Sequence, residues 1–162
     1  MEIERKFTIK QIPADLEKYP FKHIEQCYLN ASPVVRVRKE DDEYYLTYKG
    51  LGMMAREEYN LPLNKEAYYH LREKADGKII SKRRYLIPLP HPQVREGLAK
   101  PPADYSLTIE LDMFDPPFAP LILAEVEFGS TDAAEAFAPP DWFDQDVTYC
   151  KEYHNSYMAL ET

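Results

Sequence analysis

Apolar and polar residues alternate along this chain in short runs separated by turn-forming residues. MEIERKF sets Glu2, Glu4 and Lys6 at every second position, with Ile3 and Phe7 between them. Period two belongs to a β-strand, so the three charges share one face and the apolar residues the other. The same pattern predicts strands over 2–9, 25–30, 33–39, 43–49, 55–61, 79–87, 105–114 and 122–129, rich in Tyr, Val, Ile, Leu and Thr. Helical spacing replaces alternation in three places. Residues 64–77 have Asn64 as N-cap and Gly77 as C-terminal stop. Residues 130–137 are capped by Ser130 or Thr131 and stopped by Pro139 and Pro140, and 151–160 align Tyr153, Tyr157 and Leu160. A short helical turn is expected at 13–18. The 14 prolines gather in connections, and 90–104 reads as a loop at a rim. With no repeat and no dividing linker, residues 1–162 form one α+β domain.

The polar faces of these strands are unusual. Arg36 aligns with Arg38, Lys82 with Arg84, Glu110 with Asp112, and Glu125 with Glu127; Lys49 shares a face with Thr47 and Tyr45, and Arg56 aligns with Glu58. A solvated sheet face normally intersperses both signs. Here most strands carry like charges two residues apart, which repel. A sheet curled into a barrel gives the pattern a purpose: charged faces line a wet lumen and apolar faces point outward against the helices. The aligned acids (Glu2, Glu4, Glu58, Glu110, Asp112, Glu125, Glu127) and bases (Lys6, Arg36, Arg38, Lys49, Arg56, Lys82, Arg84) are equal in number, so the lumen is near neutral overall. Clustered carboxylates suit Mg²⁺ or Mn²⁺, and clustered Arg and Lys suit phosphate oxygens. A polyphosphate carrying two divalent ions would bridge the two sides. Glu57 and Arg83 fall on the opposite face, as surface charges.

Bulk composition narrows the classes. Charged residues make up 30% and hydrophobic residues 44%, normal for a folded soluble protein. A net charge of −8 argues against a nucleic-acid partner held by bulk electrostatics. No run approaches the roughly 18 apolar residues that span a bilayer, and Glu2 follows the first Met directly, so a cytoplasmic location without a membrane partner is expected. Cys27 and Cys150 match no metal or redox spacing and are read as reduced thiols; the four histidines form no catalytic pattern. Tyr44, Tyr45, Tyr48 and Tyr59 are assigned to barrel packing.

EIERK resembles the ExExK signature of the CYTH domain, the triphosphate tunnel metalloenzyme superfamily. RVR, TYKG, REEY, SKRR, ELD and EVEF follow in the order of that family's later strand motifs, so the resemblance covers nearly the whole chain, and its short bacterial inorganic triphosphatases match best in length. It implies an eight-stranded antiparallel β-barrel forming a tunnel with flanking helices, and hydrolysis or rearrangement of triphosphates with Mg²⁺ or Mn²⁺. Carried over position by position, Glu2, Glu4, Glu58, Glu110, Asp112, Glu125 and Glu127 become candidate metal ligands for two ions. Lys6, Arg36, Arg38, Lys49, Arg56, Lys82 and Arg84 become candidate triphosphate ligands, and Glu4, Lys6, Lys82 and Arg84 candidate catalytic groups. Asn60 stands where the family often has a further acid, which puts a metal role there in doubt.

Phosphoryl transfer needs chiefly positioning and charge stabilisation, in keeping with the lack of a Ser-His or Cys-His constellation. Hydrolysis of inorganic tripolyphosphate is the leading reading. A class IV-type adenylate cyclase, a nucleoside or thiamine triphosphatase, and a non-catalytic polyphosphate-binding module are the alternatives. The partner expected is a triphosphate-containing small molecule; the sequence leaves the oligomeric state open, a homodimer included.

Overall fold

The computed structural model describes residues 1–162. Ten strands occur in chain order: β1 (Glu2–Ile9), β2 (Phe21–Asn30), β3 (Val34–Glu40), β4 (Glu43–Lys49), β5 (Ala55–Arg56), β6 (Glu58–Leu63), β7 (Asp76–Pro90), β8 (Ser106–Phe114), β9 (Ile122–Glu127) and β10 (Phe143–Asp146). Three helices accompany them: α1 (Lys65–Arg72), α2 (Thr131–Ala136) and α3 (Asn155–Glu161), with single 3₁₀ turns at Leu16–Lys18 and Lys151–Tyr153. Pairing is antiparallel throughout and runs β10-β1-β9-β8-β7-β2-β3-β4-β6.

The barrel is not zipped shut along its full length. The far edge of β6 has no partner strand. β5, one residue upstream of β6, reaches β1 through the pairs Glu2–Arg56 and Ile3–Ala55, and Glu4 N donates to Met54 O at 2.9 Å. Counting 55–63 as one strand gives the eight expected staves, joined at a seam two residue pairs long. Farther along the same edge of β1, Phe7 and Ile9 pair with β10.

Alternation sorts the side chains as the sequence pattern predicts. The outward row of β1, β8 and β9 (Ile3, Phe7, Ile109, Leu111, Ala124, Val126) is buried under α2 and the Phe128, Phe137 and Phe143 rings. Each of these side chains larger than alanine contributes about 1.5–3 kcal/mol of burial. Arg5 shares that outward face. Its Nη1 donates to the Ala134 and Phe137 carbonyls at the end of α2, at 2.8 and 3.1 Å, and its Nη2 pairs with Asp146 at 2.9 Å. The cation thus satisfies carbonyls that the helix end leaves free and pins α2 to the barrel. Arg83 lies on the outer face as expected, half-buried over the Tyr85 ring, and Glu57 is exposed.

The inward row changes character along its length. Beyond the charged positions it becomes apolar, with Tyr28, Val34, Ile80, Phe114 and Leu123 packed against Met158 and Ala159 of α3. One end of the lumen is therefore filled by side chains and a helix.

Several boundaries differ from the sequence reading. Asn64 does cap α1, accepting from Ala67 N at 2.7 Å, and Ser130 caps α2. Helix α1, however, ends at Arg72, and Gly77 lies inside β7 with φ +67°. A Cβ there would stand 2.2 Å from the Ala159 carbonyl oxygen, so this glycine serves the close approach of α3 rather than a helix stop. The terminal helix begins at Asn155, after a separate 3₁₀ turn. β10 was not expected: Asp144, Gln145 and Asp146 are exposed, and only Phe143 is buried. Of the 90–104 segment Pro90 still belongs to β7, and the rest is a loop apart from a bridge between Val94 and Phe137. Cys27 is buried and Cys150 exposed; both are free thiols, and burial pushes the Cys27 thiol up to about 11.

Candidate active site

The inward charges surround one cavity of about 340 Å³, in which 3 of the 22 lining residues are hydrophobic. Thirteen of the fourteen candidate residues line it: Glu2, Glu4, Lys6, Arg36, Arg38, Lys49, Arg56, Glu58, Lys82, Arg84, Glu110, Glu125 and Glu127. Asp112 does not. It is fully buried behind the wall, where Arg84 grips it bidentately (Nε–Oδ1 2.7 Å, Nη2–Oδ2 2.9 Å) and Lys82 Nζ lies 2.7 Å away. Its oxygens are saturated by cations that need a buried counter-charge. Asp112, expected among the metal ligands, thus stands outside the cavity lining with both oxygens on Arg84 and Lys82.

Register explains the grouping of sign. Glu4 faces Glu127 and Lys6 faces Glu125 across β1 and β9, and Glu110 faces Glu125 across β8 and β9. Acids therefore gather on one wall. Arg36 and Arg38 on β3 stand between β2 and β4 on another.

Most members are paired. Lys6 Nζ meets Glu125 at 3.2 Å, not Glu2 or Glu4. Lys49 Nζ lies 2.8 Å from Glu2 and 3.3 Å from Glu58, and Arg84 reaches Glu110 and Glu125 at 3.1 Å each. Arg56 and Glu58 do not pair with each other. Asn60 accepts from Thr47 at 2.6 Å and donates to Glu58 at 3.2 Å, a neutral brace where an acid is often found.

Four members are left over. The side chains of Glu4 and of exposed Glu127 make neither a hydrogen bond nor an ion pair, and neither does that of Arg56. Arg36 is 6% exposed, its one bond is a long 3.4 Å contact from Nη2 to Thr47, and its buried Nε has no partner. A buried, unsatisfied donor on a cation costs upward of roughly 1–3 kcal/mol. Unpaired cationic and unpaired carboxylate side chains thus face the same space.

Protonation follows the same division. Burial, then the neighbouring Glu125 and Glu2, push Glu4 up to about 7. Burial likewise raises Glu127 and Glu110, with other carboxylates adding to it. Burial also raises Glu2; burial alone would raise Glu58, but the hydrogen bond with Glu2 and the Lys49 and Arg36 charges hold it down to about 2. On the basic wall burial, with Arg36 and Arg84 beside it, lowers Arg38 to about 10. Burial brings Lys82 down to about 7 against the pull of Asp112.

These donors fit a hard divalent cation. All are carboxylate oxygens, and unpaired Glu4, pushed up to about 7, holds a proton that a cation would displace. No three His, Cys, Asp or Glu side chains are arranged to hold an ion by themselves.

The structure adds residues the strand pattern did not single out. Tyr28, Glu40, Tyr45, His154, Asn155 and Ser156 also line the cavity. Tyr45, assigned to packing, bonds Glu43 at the cavity wall, whereas Tyr44 packs on Tyr68 and Tyr48 on Tyr59. Tyr28 and Glu40 were legible in principle, since they stand two residues from Gln26 and Arg38 on the same faces. His154, Asn155 and Ser156 arrive from the start of α3, which no alternation announces.

The CYTH domain model matches residues 1–111. The chain is 36% identical to an inorganic triphosphatase of Nitrosomonas europaea over 163 aligned residues, covering 98% of this chain and 97% of that one. A crystal structure of an inorganic triphosphatase superposes with a TM-score of 0.65 at 33% identity, covering 99% and 95%. A Hippeastrum putative adenylyl cyclase, described as having a dominant triphosphatase activity, shares the fold with a TM-score of 0.54 at 14% identity, covering 83% of each chain. A charged lumen built by alternate residues, opening on the ExExK strand, and a match that takes in its lining residues from Glu2 through Glu110 lead to one conclusion: the chain belongs to the CYTH domain family.

Proposed function

We propose that this protein hydrolyses inorganic tripolyphosphate with the help of divalent metal, inside the charged cavity. The observation that carries the reading is the set of unpaired side chains around one cavity: Arg36, with its buried Nε unsatisfied, and Arg56, beside Glu4 and Glu127. A metal-bearing polyphosphate supplies partners of both signs. The similarity to an inorganic triphosphatase over nearly the whole chain supports the same reaction class.

Glu4 and Glu127 would hold the ion, with Glu2, Glu110 and Glu125 within reach of a second. When bound, such an ion neutralises phosphate charge and acidifies a coordinated water. Arg36, Arg38 and Arg56 would hold the phosphate oxygens, and an Arg fork can do so bidentately. Lys6, Lys49, Lys82 and Arg84 add positive charge around the same space while staying tied to Glu125, Glu2, Glu58 and Asp112. Water attacks the terminal phosphorus, the anhydride P–O bond breaks, and pyrophosphate leaves. Lys82 is the cavity amine held near 7, so it exchanges a proton near neutral pH and is the candidate to serve the leaving oxygen.

A second depression of about 400 Å³ adjoins the cavity and shares Val34, Arg56, His154 and Ser156 with it. Its Leu51, Met53 and Tyr157 would accommodate an organic group on a triphosphate. Offering tripolyphosphate, ATP and thiamine triphosphate in parallel with Mg²⁺ or Mn²⁺ separates the readings. Phosphate released from tripolyphosphate well above the rest supports the proposal. Preference for an organic triphosphate, cyclic AMP formation, or no turnover would overturn it.

A further inference from the structure

Two neutral amides sit among the charges. Gln26 on β2 has no exposed surface, and Asn155, the first residue of α3, is 9% exposed. Their orientation is forced by chemistry. Arg38 carries only donors, so the Gln26 atom meeting its Nε at 2.9 Å and its Nη2 at 2.6 Å is the carbonyl oxygen. The other end of that amide is then Nε2, which donates to Asn155 Oδ1 at 3.0 Å and to the Tyr28 hydroxyl at 3.1 Å. Asn155 therefore turns its oxygen inward, and the same oxygen accepts from Lys82 Nζ at 2.9 Å. The run Arg38–Gln26–Asn155–Lys82 has a defined donor and acceptor at every link and ties β3, β2, α3 and β7 together.

We propose that Gln26 and Asn155 are positioning residues: Gln26 locks the Arg38 guanidinium through a neutral acceptor, leaving its charge to act on phosphate, and Asn155 fixes the Gln26 amide while tying it to Lys82, which Asp112 also holds. The proposal rests on the triphosphate reading of the cavity. Other cations here are held by carboxylates, which fix them and cancel much of their charge: Lys6 by Glu125, Lys49 by Glu2 and Glu58, Lys82 and Arg84 by Asp112. Arg38 differs. Its carboxylate contact is Glu40 at 3.8 Å, and its short bonds go to the amide. An amide oxygen restricts a long side chain before the ligand arrives, which lowers the ordering cost of binding, and it adds no negative charge to repel the ligand.

The test is calorimetric titration of Mg²⁺–imidotriphosphate, which resists hydrolysis, into the full chain and its variants. Asn155→Asp keeps the acceptor oxygens but adds a charge beside Lys82. It is expected to melt at or above the parent temperature and to bind at least tenfold more weakly. A merely structural Asn155 would let affinity follow melting, and parental affinity in this variant overturns the proposal. Gln26→Met and Asn155→Leu are each expected to weaken binding tenfold or more, with the double variant little worse than the weaker single one; multiplicative losses would mean two independent residues. The Arg38 Nε–H resonance of the ligand-free protein gives a second readout, expected to be slow to exchange in the parent and fast in Gln26→Met. If the parent binds no triphosphate, the functional reading fails while this signal still decides the lock: equal exchange in parent and variant overturns it.

Discussion

At the scale of single residues, the informative groups are those the fold leaves without partners. Arg36 is buried with its Nε unsatisfied, so removing it relieves a cost in the empty protein and forfeits a bidentate phosphate contact in the complex. Arg36→Ala is expected to melt no lower than the parent and to lose about 100-fold or more in kcat/KM; steady-state kinetics beside a thermal melt checks both. Arg36→Lys is expected to recover little, because an ammonium cannot present the fork. Glu4 is the acidic counterpart. Its carboxyl holds a proton up to about 7 in the fold, against an ordinary 4.5. Between those values the native state binds more protons than the unfolded chain, so metal-free stability falls as pH rises from about 4.5 to about 7 and stays level above. Glu4→Gln removes that contribution. In EDTA it is expected to match the parent near pH 4.5 and to exceed it at pH 8 by on the order of 2 kcal/mol, read by urea unfolding, while turnover is lost. Equal urea midpoints at pH 8 would contradict the burial argument.

At the scale of elements, strands were more legible than helices. Every expected strand exists, because alternation is imposed by a surface with a wet side and a packed side, and that constraint is local. The helix expected over 64–77 stops at Arg72 because the following residues are drawn into β7, and Gly77 takes its positive φ to let α3 approach. Gly77→Ala places a methyl group against the Ala159 carbonyl at a left-handed backbone position and is expected to cost about 2 kcal/mol or more. A midpoint shift below a few tenths of a kcal/mol would mean that α3 does not sit there. β10 was illegible because Asp144, Gln145 and Asp146 carry no strand pattern; it forms because the β1 edge beyond Lys6 needs a partner.

At the scale of the whole molecule, thirteen of fourteen candidate side chains converge on one space, since like charges repeated across strands make sense only around a common interior. Asp112 obeyed the pattern yet sits one layer too deep, a distinction of depth that period two cannot express. Gln26 and Asn155 were illegible for the opposite reason: neutral residues do not stand out, and Asn155 comes from the far end of the chain. Because unpaired carboxylates and unpaired cations face one space, their ligands should bind together. Mg²⁺ alone or polyphosphate alone is expected to raise the melting temperature little, and the two together by more than the sum. The most direct measurement is the titration of imidotriphosphate into the parent protein and Arg36→Ala, each in Mg²⁺ and in EDTA. Tight binding that requires both Mg²⁺ and Arg36 is the expected result. Absence of binding to the parent, or an affinity indifferent to the ion and to Arg36, would contradict a cavity built for a metal-bearing triphosphate.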